Sequence, residues 1–192
     1  LSAFYFDIRK DTLYCDEVSS VKRQACINLL GLILDMLLKW FAPILSFTTE
    51  EIFQIINENK NSSIHLQTFP KIPKKWKNNK LFEKWEKFKV VRKVVNSAIE
   101  IKRSNKDIGS SLEADVTVHL NEEYFQLVKD FNLPEHFITS KATAKKMVDD
   151  KNLFQLEGIE NIKVFVKKAE GEKCPRCWKI FQGPCNRCGT IN

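Results

Sequence analysis

Two Cys-x-x-Cys pairs near the end of the chain constrain its structure more than any other feature. Cys174 and Cys177 form the first pair, Cys185 and Cys188 the second, and seven residues separate the pairs. Because a two-residue spacer turns both sulfurs of a pair toward one point, two pairs can surround a tetrahedral zinc ion. We expect one structural zinc ion here, since four sulfurs leave no open position for water or substrate. Two disulfides, thiols that bind no metal, and a bound iron ion are the alternatives.

The residues beside these cysteines are cationic and aromatic. Arg176 and Arg187 lie within the two pairs, while Trp178 and Lys179 follow the first pair directly. RNA loops are bound by stacking of unpaired bases on aromatic or guanidinium groups, with lysine and arginine at the phosphates. The alternative is that these side chains only pack around the metal.

Charge is distributed unevenly along the 192 residues, although the net charge is only +7. Residues 71–106 contain 13 Lys and Arg against 3 Asp and Glu, and residues 161–192 contain 7 against 2. Separated basic blocks are typical of a chain with surfaces that face a polyanion. A solvated lysine-rich helix face is the other interpretation of the first block.

Apolar spacing predicts three helices in the first half of the chain. One covers 19–42, is capped by Ser19 or Ser20 and ends at Pro43. A second begins at Thr48, where Glu51 completes a capping box. The third covers 79–105 and has an apolar face opposite a basic one, with candidate contacts to RNA phosphates at Lys84, Lys87, Arg92, Lys102 and Arg103.

The pattern changes to alternation after Gly109. Residues 116–120 and 162–166 read as half-buried strands, 122–131 as a short helix, and 137–148 as one or two further strands. The predicted fold is therefore mainly α. It consists of a helical domain over 1–105, a small α+β domain over 106–170 and a metal module over 171–192.

Several functions are not expected of this chain. No apolar run approaches the length of a membrane span, and cysteines that cluster at metal-ligand spacing favour a reducing compartment, hence the cytoplasm. His65, His119 and His136 are scattered, and we find no nucleophile with a base and no glycine-rich phosphate loop. We expect no catalytic residue here.

Four segments resemble bacterial isoleucyl-tRNA synthetases, a family of class I aminoacyl-tRNA synthetases, in the family's own order. They are LSAFYFDIRKD at 1–11, APILSFTTEE at 42–51, IGSSLEADV at 108–116 and AEGEKCPRCW at 169–178. Related valyl and leucyl enzymes are not expected to end in such a four-cysteine module. One departure from the family is the short insert between the cysteine pairs.

The resemblance implies the C-terminal part of such an enzyme. Residues 1–105 would be an α-helical anticodon-binding domain, 106–170 a junction domain and 171–192 the zinc-binding end. Together they would bind the anticodon arm of isoleucine tRNA as a monomer. ATP, Mg²⁺ and isoleucine would be handled by N-terminal catalytic and editing domains, which are absent from this sequence.

The same resemblance favours RNA contact by Arg176 and Trp178, with Lys179 and Arg187 as weaker candidates. Arg9 and Lys10 are further candidates, whereas the aromatic residues 4–6 are expected in the core. Two other functions are alternatives: a zinc-finger DNA-repair glycosylase, whose catalytic residues are not seen here, and a structural interaction domain without an RNA role.

Overall fold

The computed structural model describes residues 2–57, 61–150, 152–185 and 187–188. About half of the chain is helical, and one small sheet and one short hairpin follow. The α-helices are α1 (Asp7–Cys15), α2 (Val21–Phe41), α3 (Ser46–Ile56), α4 (Asn79–Ser104), α5 (Glu122–Val128) and α6 (Leu133–His136), and a π-helix at Ser2–Phe6 leads into α1. The strands are β1 (Ala114–Leu120), β2 (Lys141–Lys146), β3 (Phe154–Gln155), β4 (Ile162–Lys168), β5 (Glu172–Lys173) and β6 (Ile180–Phe181).

The chain forms two compact units. Unit 1 contains residues 1–16 and 78–192, and unit 2 contains residues 17–77. Residue 105 is not a boundary between them, because α4 gives its buried face to the sheet of unit 1. The predicted domain limits at 105 and 170 therefore differ from the division into compact units.

The predicted cap of α2 at Ser20 is confirmed, and α4 has a side-chain cap that was not predicted. Ser20 Oγ accepts from the N–H of Arg23 at 3.4 Å, and Asn78 Oδ1 accepts from the N–H of Leu81 at 2.9 Å. Such side-chain caps satisfy amide groups that have no partner within the helix.

The predicted start of α3 was wrong. The helix begins at Ser46, and no side chain caps its first turn. Thr48 is therefore inside the helix, and the Thr48–Glu51 capping box does not form. Thr49 Oγ1 instead donates to the carbonyl of Leu45 at 2.9 Å, which ties the threonine to the preceding turn.

The sheet of unit 1 has the strand order β2-β1-β4-β3. β1 is parallel to β2 and antiparallel to β4, so α5 and α6 form the crossover between the two parallel strands. Val116, Val118 and Val164 are almost fully buried against α4, which contributes Phe88 and Val95 to the same core. One face of the sheet is thus covered by helices.

Unit 2 has a small core of Leu38, Ala42, Phe53 and Ile64. Its helix α2 is long and apolar enough to cross a membrane by length and composition, with a mean hydropathy of 1.4 and 11% of the apolar stretch buried. The expectation that no apolar segment reaches this length was therefore wrong. A single helix of this kind is weak support for a span, because the core helix of a soluble protein has the same composition.

Candidate metal centre and nucleic-acid interface

Four cysteines converge at the end of unit 1. The sulfur atoms of Cys174, Cys177, Cys185 and Cys188 all lie within 4.8 Å of one another, and no disulfide joins them. Zinc–sulfur bonds of about 2.3 Å place the sulfurs of a tetrahedral site about 3.8 Å apart. The Sγ atoms of Cys177 and Cys185 are 3.8 Å apart, so the donor set suits a tetrahedral metal ion.

The β5–β6 hairpin shapes the first cysteine pair. The N–H of Cys174 donates to the carbonyl of Lys179 at 2.9 Å, and the N–H of Trp178 donates to the carbonyl of Cys174 at 2.9 Å. Gly171 has a φ of +127°, and a Cβ there would lie 2.1 Å from the carbonyl oxygen of Phe181. Only glycine fits this close approach, which brings the two strands together beneath the cysteines.

Burial keeps the thiols of Cys177 and Cys188 protonated when no metal is bound. It raises the pKa of the Cys177 thiol strongly and that of the Cys188 thiol to about 11. Cys15, on α1, is a fifth thiol beside this cluster, and its Sγ lies 4.0 Å from the carbonyl oxygen of Arg176. A metal ion would therefore displace protons from its ligands, as thiolate coordination requires.

Helix α1 anchors the cysteine module through two carboxylates. Arg187 Nε donates to Asp16 at 2.8 Å, and the same guanidinium pairs with Asp11. Lys179 Nζ lies 3.6 Å from Asp11 and is buried. Although burial lowers the pKa of Arg187, the hydrogen bonds and charges of Asp11 and Asp16 raise it overall. Two predicted RNA-binding cations, Lys179 and Arg187, are thus held within the protein.

A second anchor joins the module to the sheet. Ser140, just before β2, accepts a hydrogen bond from the N–H of Ile180 at 2.6 Å and donates to the carbonyl of Leu112. One hydroxyl therefore links β6 to the segment before β1. The cysteine module is fixed against both α1 and the sheet.

Arg176 and Trp178 remain exposed on this fixed module. Trp178 is 59% exposed, and its φ of +63° turns the chain out of the hairpin. Lys173 Nζ lies 5.5 Å from the centroid of the Trp178 ring. Both residues line a cleft of about 460 Å³ together with Lys10 and Tyr14 of α1.

Tyr14 was not among the residues predicted from sequence to bind RNA, although its side chain is 77% exposed. Its spacing of four from Lys10 places both on one side of α1, and this spacing is the signal that would have identified it.

The remaining predicted cations have carboxylate partners. Arg92 is buried, donates to the carbonyl of His136 at 2.9 Å and pairs with Asp7 at 3.1 Å. Arg9 pairs with Glu135 at 2.7 Å, and Lys10 lies 3.7 Å from Asp7 but is largely exposed. The other α4 pairs are exposed: Lys84–Asp130, Lys87–Glu123, Lys102–Asp107 and Arg103–Glu100.

Comparison with known proteins now gives the class. The family described as the anticodon-binding domain of tRNA ligase matches residues 1–118. This chain belongs to that family.

More particularly, the chain is similar over nearly its whole length to proteins named isoleucine–tRNA ligase. Identity is 46% with that of Pelagibacter ubique, 44% with that of Bradyrhizobium diazoefficiens and 45% with that of Agrobacterium fabrum, over 97%, 95% and 94% of this chain. These alignments cover 19%, 18% and 19% of the relatives, so the chain spans about a fifth of their length. The predicted resemblance is confirmed, and the glycosylase alternative gains no support.

Proposed function

We propose that this chain is the C-terminal, tRNA-binding part of an isoleucine–tRNA ligase. It binds the anticodon arm of isoleucine tRNA and positions the acceptor end for ATP-dependent, Mg²⁺-assisted aminoacylation by N-terminal domains of the same protein, which also edit the product. The chain itself contributes no catalytic residue. It acts in the cytoplasm as a monomer, with α2 as a bundle helix rather than a membrane span.

The observation that carries this proposal is the exposed pair Arg176 and Trp178 on a module that is anchored to α1 and to the sheet. A rigid aromatic ring beside a guanidinium suits stacking of unpaired bases, and Lys10 and Tyr14 extend the same surface. We assign Arg176, Trp178, Lys10 and Tyr14 to RNA contact. The exposed α4 cations reach phosphates by exchanging their carboxylate partners, whereas Arg9, Arg92, Lys179 and Arg187 position the surface.

The metal in this proposal is one structural zinc ion held by Cys174, Cys177, Cys185 and Cys188. Four sulfurs within 4.8 Å fit tetrahedral coordination and leave no position for a reacting molecule. Metal analysis of the purified chain should give one zinc per chain; iron or no metal would contradict the assignment.

Titration of the whole chain with labelled isoleucine tRNA tests the function. Binding should weaken as salt rises, because phosphate contacts release counterions, and should be lost when the anticodon bases are changed. Equal affinity for tRNAs with other anticodons would overturn the specificity. Absence of binding at low salt would favour a structural interaction domain.

A further inference from the structure

The face of the sheet opposite α4 is largely exposed and has a regular arrangement of side chains, although Asp115 on this face is buried. The register of β2, β1 and β4 places three rows across it. The middle row contains Thr143, Thr117 and Phe165, and Phe165 is 44% exposed. The outer rows are Lys141–Asp115–Lys167 and Lys145–His119–Lys163.

Each outer row thus has a lysine at both ends. Because strands rise about 3.3 Å per residue, Lys141 and Lys145 lie about 13 Å apart, on either side of the aromatic row. Lys163 pairs with Asp149 at 3.1 Å, and Lys167 pairs with Glu170 at 3.2 Å. Among the described residues, no carboxylate forms an ion pair with Lys141 or Lys145, and both are exposed.

This open face adjoins the cysteine module. Lys141 and Lys167 line a polar cleft of about 210 Å³ whose other wall includes Ile180 and Gln182 of the module. Ser140 fixes that junction through its hydrogen bond from Ile180. The cationic sheet face and the module therefore form one continuous surface within unit 1.

We propose that this open sheet face binds unpaired nucleotides of the same RNA that the cysteine module contacts. One base stacks on Phe165, and the flanking phosphates lie against Lys141 and Lys145. Four-stranded sheets bind single-stranded RNA in this manner, with bases on an aromatic ring of a central strand. The proposal rests on the RNA role of the chain, and it adds contacts by residues other than Arg176 and Trp178.

Matched variants of the whole 192-residue chain test the proposal, with labelled isoleucine tRNA as the probe. Phe165→Thr should weaken binding about tenfold through lost stacking, whereas Phe165→Tyr retains the ring and should bind like the wild type. Lys145→Gln should weaken binding and reduce the dependence of log affinity on log salt by about 0.7 to 0.9. Lys146→Gln is its control, because Lys146 lies on the other face of β2 and pairs with Glu122 at 3.0 Å.

The outcomes separate clearly. Equal losses in Lys145→Gln and Lys146→Gln would reduce the effect to general charge and overturn the proposal. Wild-type affinity in Phe165→Thr and Lys145→Gln would overturn it as well and leave the face to a protein partner. If the sheet variants bind with wild-type affinity while Trp178→Ala binds more weakly, only the sheet inference is wrong. If the wild-type chain itself does not bind the tRNA, the proposed function is wrong.

Discussion

Cationic side chains in unit 1 divide by their surroundings. Arg187 and Lys179 share Asp11 and are at least three-quarters covered, so their charges are used to hold the module on α1. Arg176 lies between the cysteines of the first pair, as Arg187 does in the second pair, but Arg176 is exposed. Two arginines in equivalent positions of the two cysteine pairs thus have different roles, set by which one faces a carboxylate.

Trp178 gives the first prediction. Trp178→Ala removes an exposed stacking ring and should weaken tRNA binding about tenfold, without changing the midpoint of thermal unfolding. The measurement is fluorescence anisotropy with labelled isoleucine tRNA. Trp76→Ala, at another half-exposed tryptophan, is the control and should bind like the wild type. Equal affinity of the two variants would exclude Trp178 from the interface.

Arg187 gives the second prediction. Arg187→Gln leaves Asp11 and Asp16 without their main cation and should destabilise the module by about 2 kcal/mol, since hydrogen bonds to charged groups contribute this much. Faster hydrogen exchange at the amides of Cys174 and Trp178 would measure the loss. Arg176→Gln is the matched control and should leave exchange unchanged while weakening tRNA binding. Unchanged exchange in Arg187→Gln would argue for a direct RNA role instead.

Individual residues were predictable from sequence where their signal is local. The four cysteines come together as their spacing predicts, because each pair needs only two intervening residues to converge. Arg92 looked like a surface cation of α4, yet it is buried and pairs with Asp7, which is 85 positions away in the chain. No local sequence pattern indicates such a pairing. The sequence therefore does not distinguish buried, paired cations from exposed ones.

At the scale of elements, α3 and the following turn depend on one carboxylate. Glu50 accepts hydrogen bonds from Gln54 at 2.7 Å, from the N–H of Ile64 at 2.9 Å and from Ser63 at 2.8 Å. These bonds hold the pKa of Glu50 below its ordinary value of 4.5. Glu50 therefore connects α3 to the segment that brings Ile64 into the core of unit 2.

This connection predicts a pH dependence for unit 2. Because the pKa of Glu50 is lower in the folded state, its contribution is complete above the unfolded value near 4.5 and is lost as pH falls through the lower, folded pKa. Glu50→Gln should remove that part of the acid sensitivity, as measured by the unfolding midpoint along a pH series. The exposed neighbour Glu51 is the control: Glu51→Gln should keep the wild-type profile. Identical profiles for both variants would contradict the role of Glu50.

Long periodic elements were predictable, and short polar ones were not. The apolar faces of α2 and α4 and the alternation of β1 and β4 appear in the sequence because burial imposes them. A strand within 137–148 was predicted, but β2, with the sequence KATAKK, does not reveal that it pairs in parallel with β1. Its partner is determined by the crossover through α5 and α6.

For the whole molecule, the core of unit 1 and the cysteine cluster are separate, and this separation predicts the effect of metal removal. The α4–sheet core contains Phe88, Val118 and Val164, whereas the cluster contains the cysteines and Phe181. A zinc chelator should therefore abolish hydrogen-exchange protection in β5 and β6, leave α4 and β4 protected, and weaken tRNA binding. Zinc-saturated chelator is the control. Loss of protection in α4 would show that the metal also holds the main core.

The discontinuity of unit 1 has a consequence for the order of synthesis. Residues 17–77 are contiguous and can fold as soon as they leave the ribosome. Asp16, at the end of α1, is by contrast 171 positions before its partner Arg187. Until Arg187 has been made, Asp11 and Asp16 lack the guanidinium that they bind in the folded unit. A nascent chain stalled before Cys174 should thus expose α1 to proteases that the released protein resists.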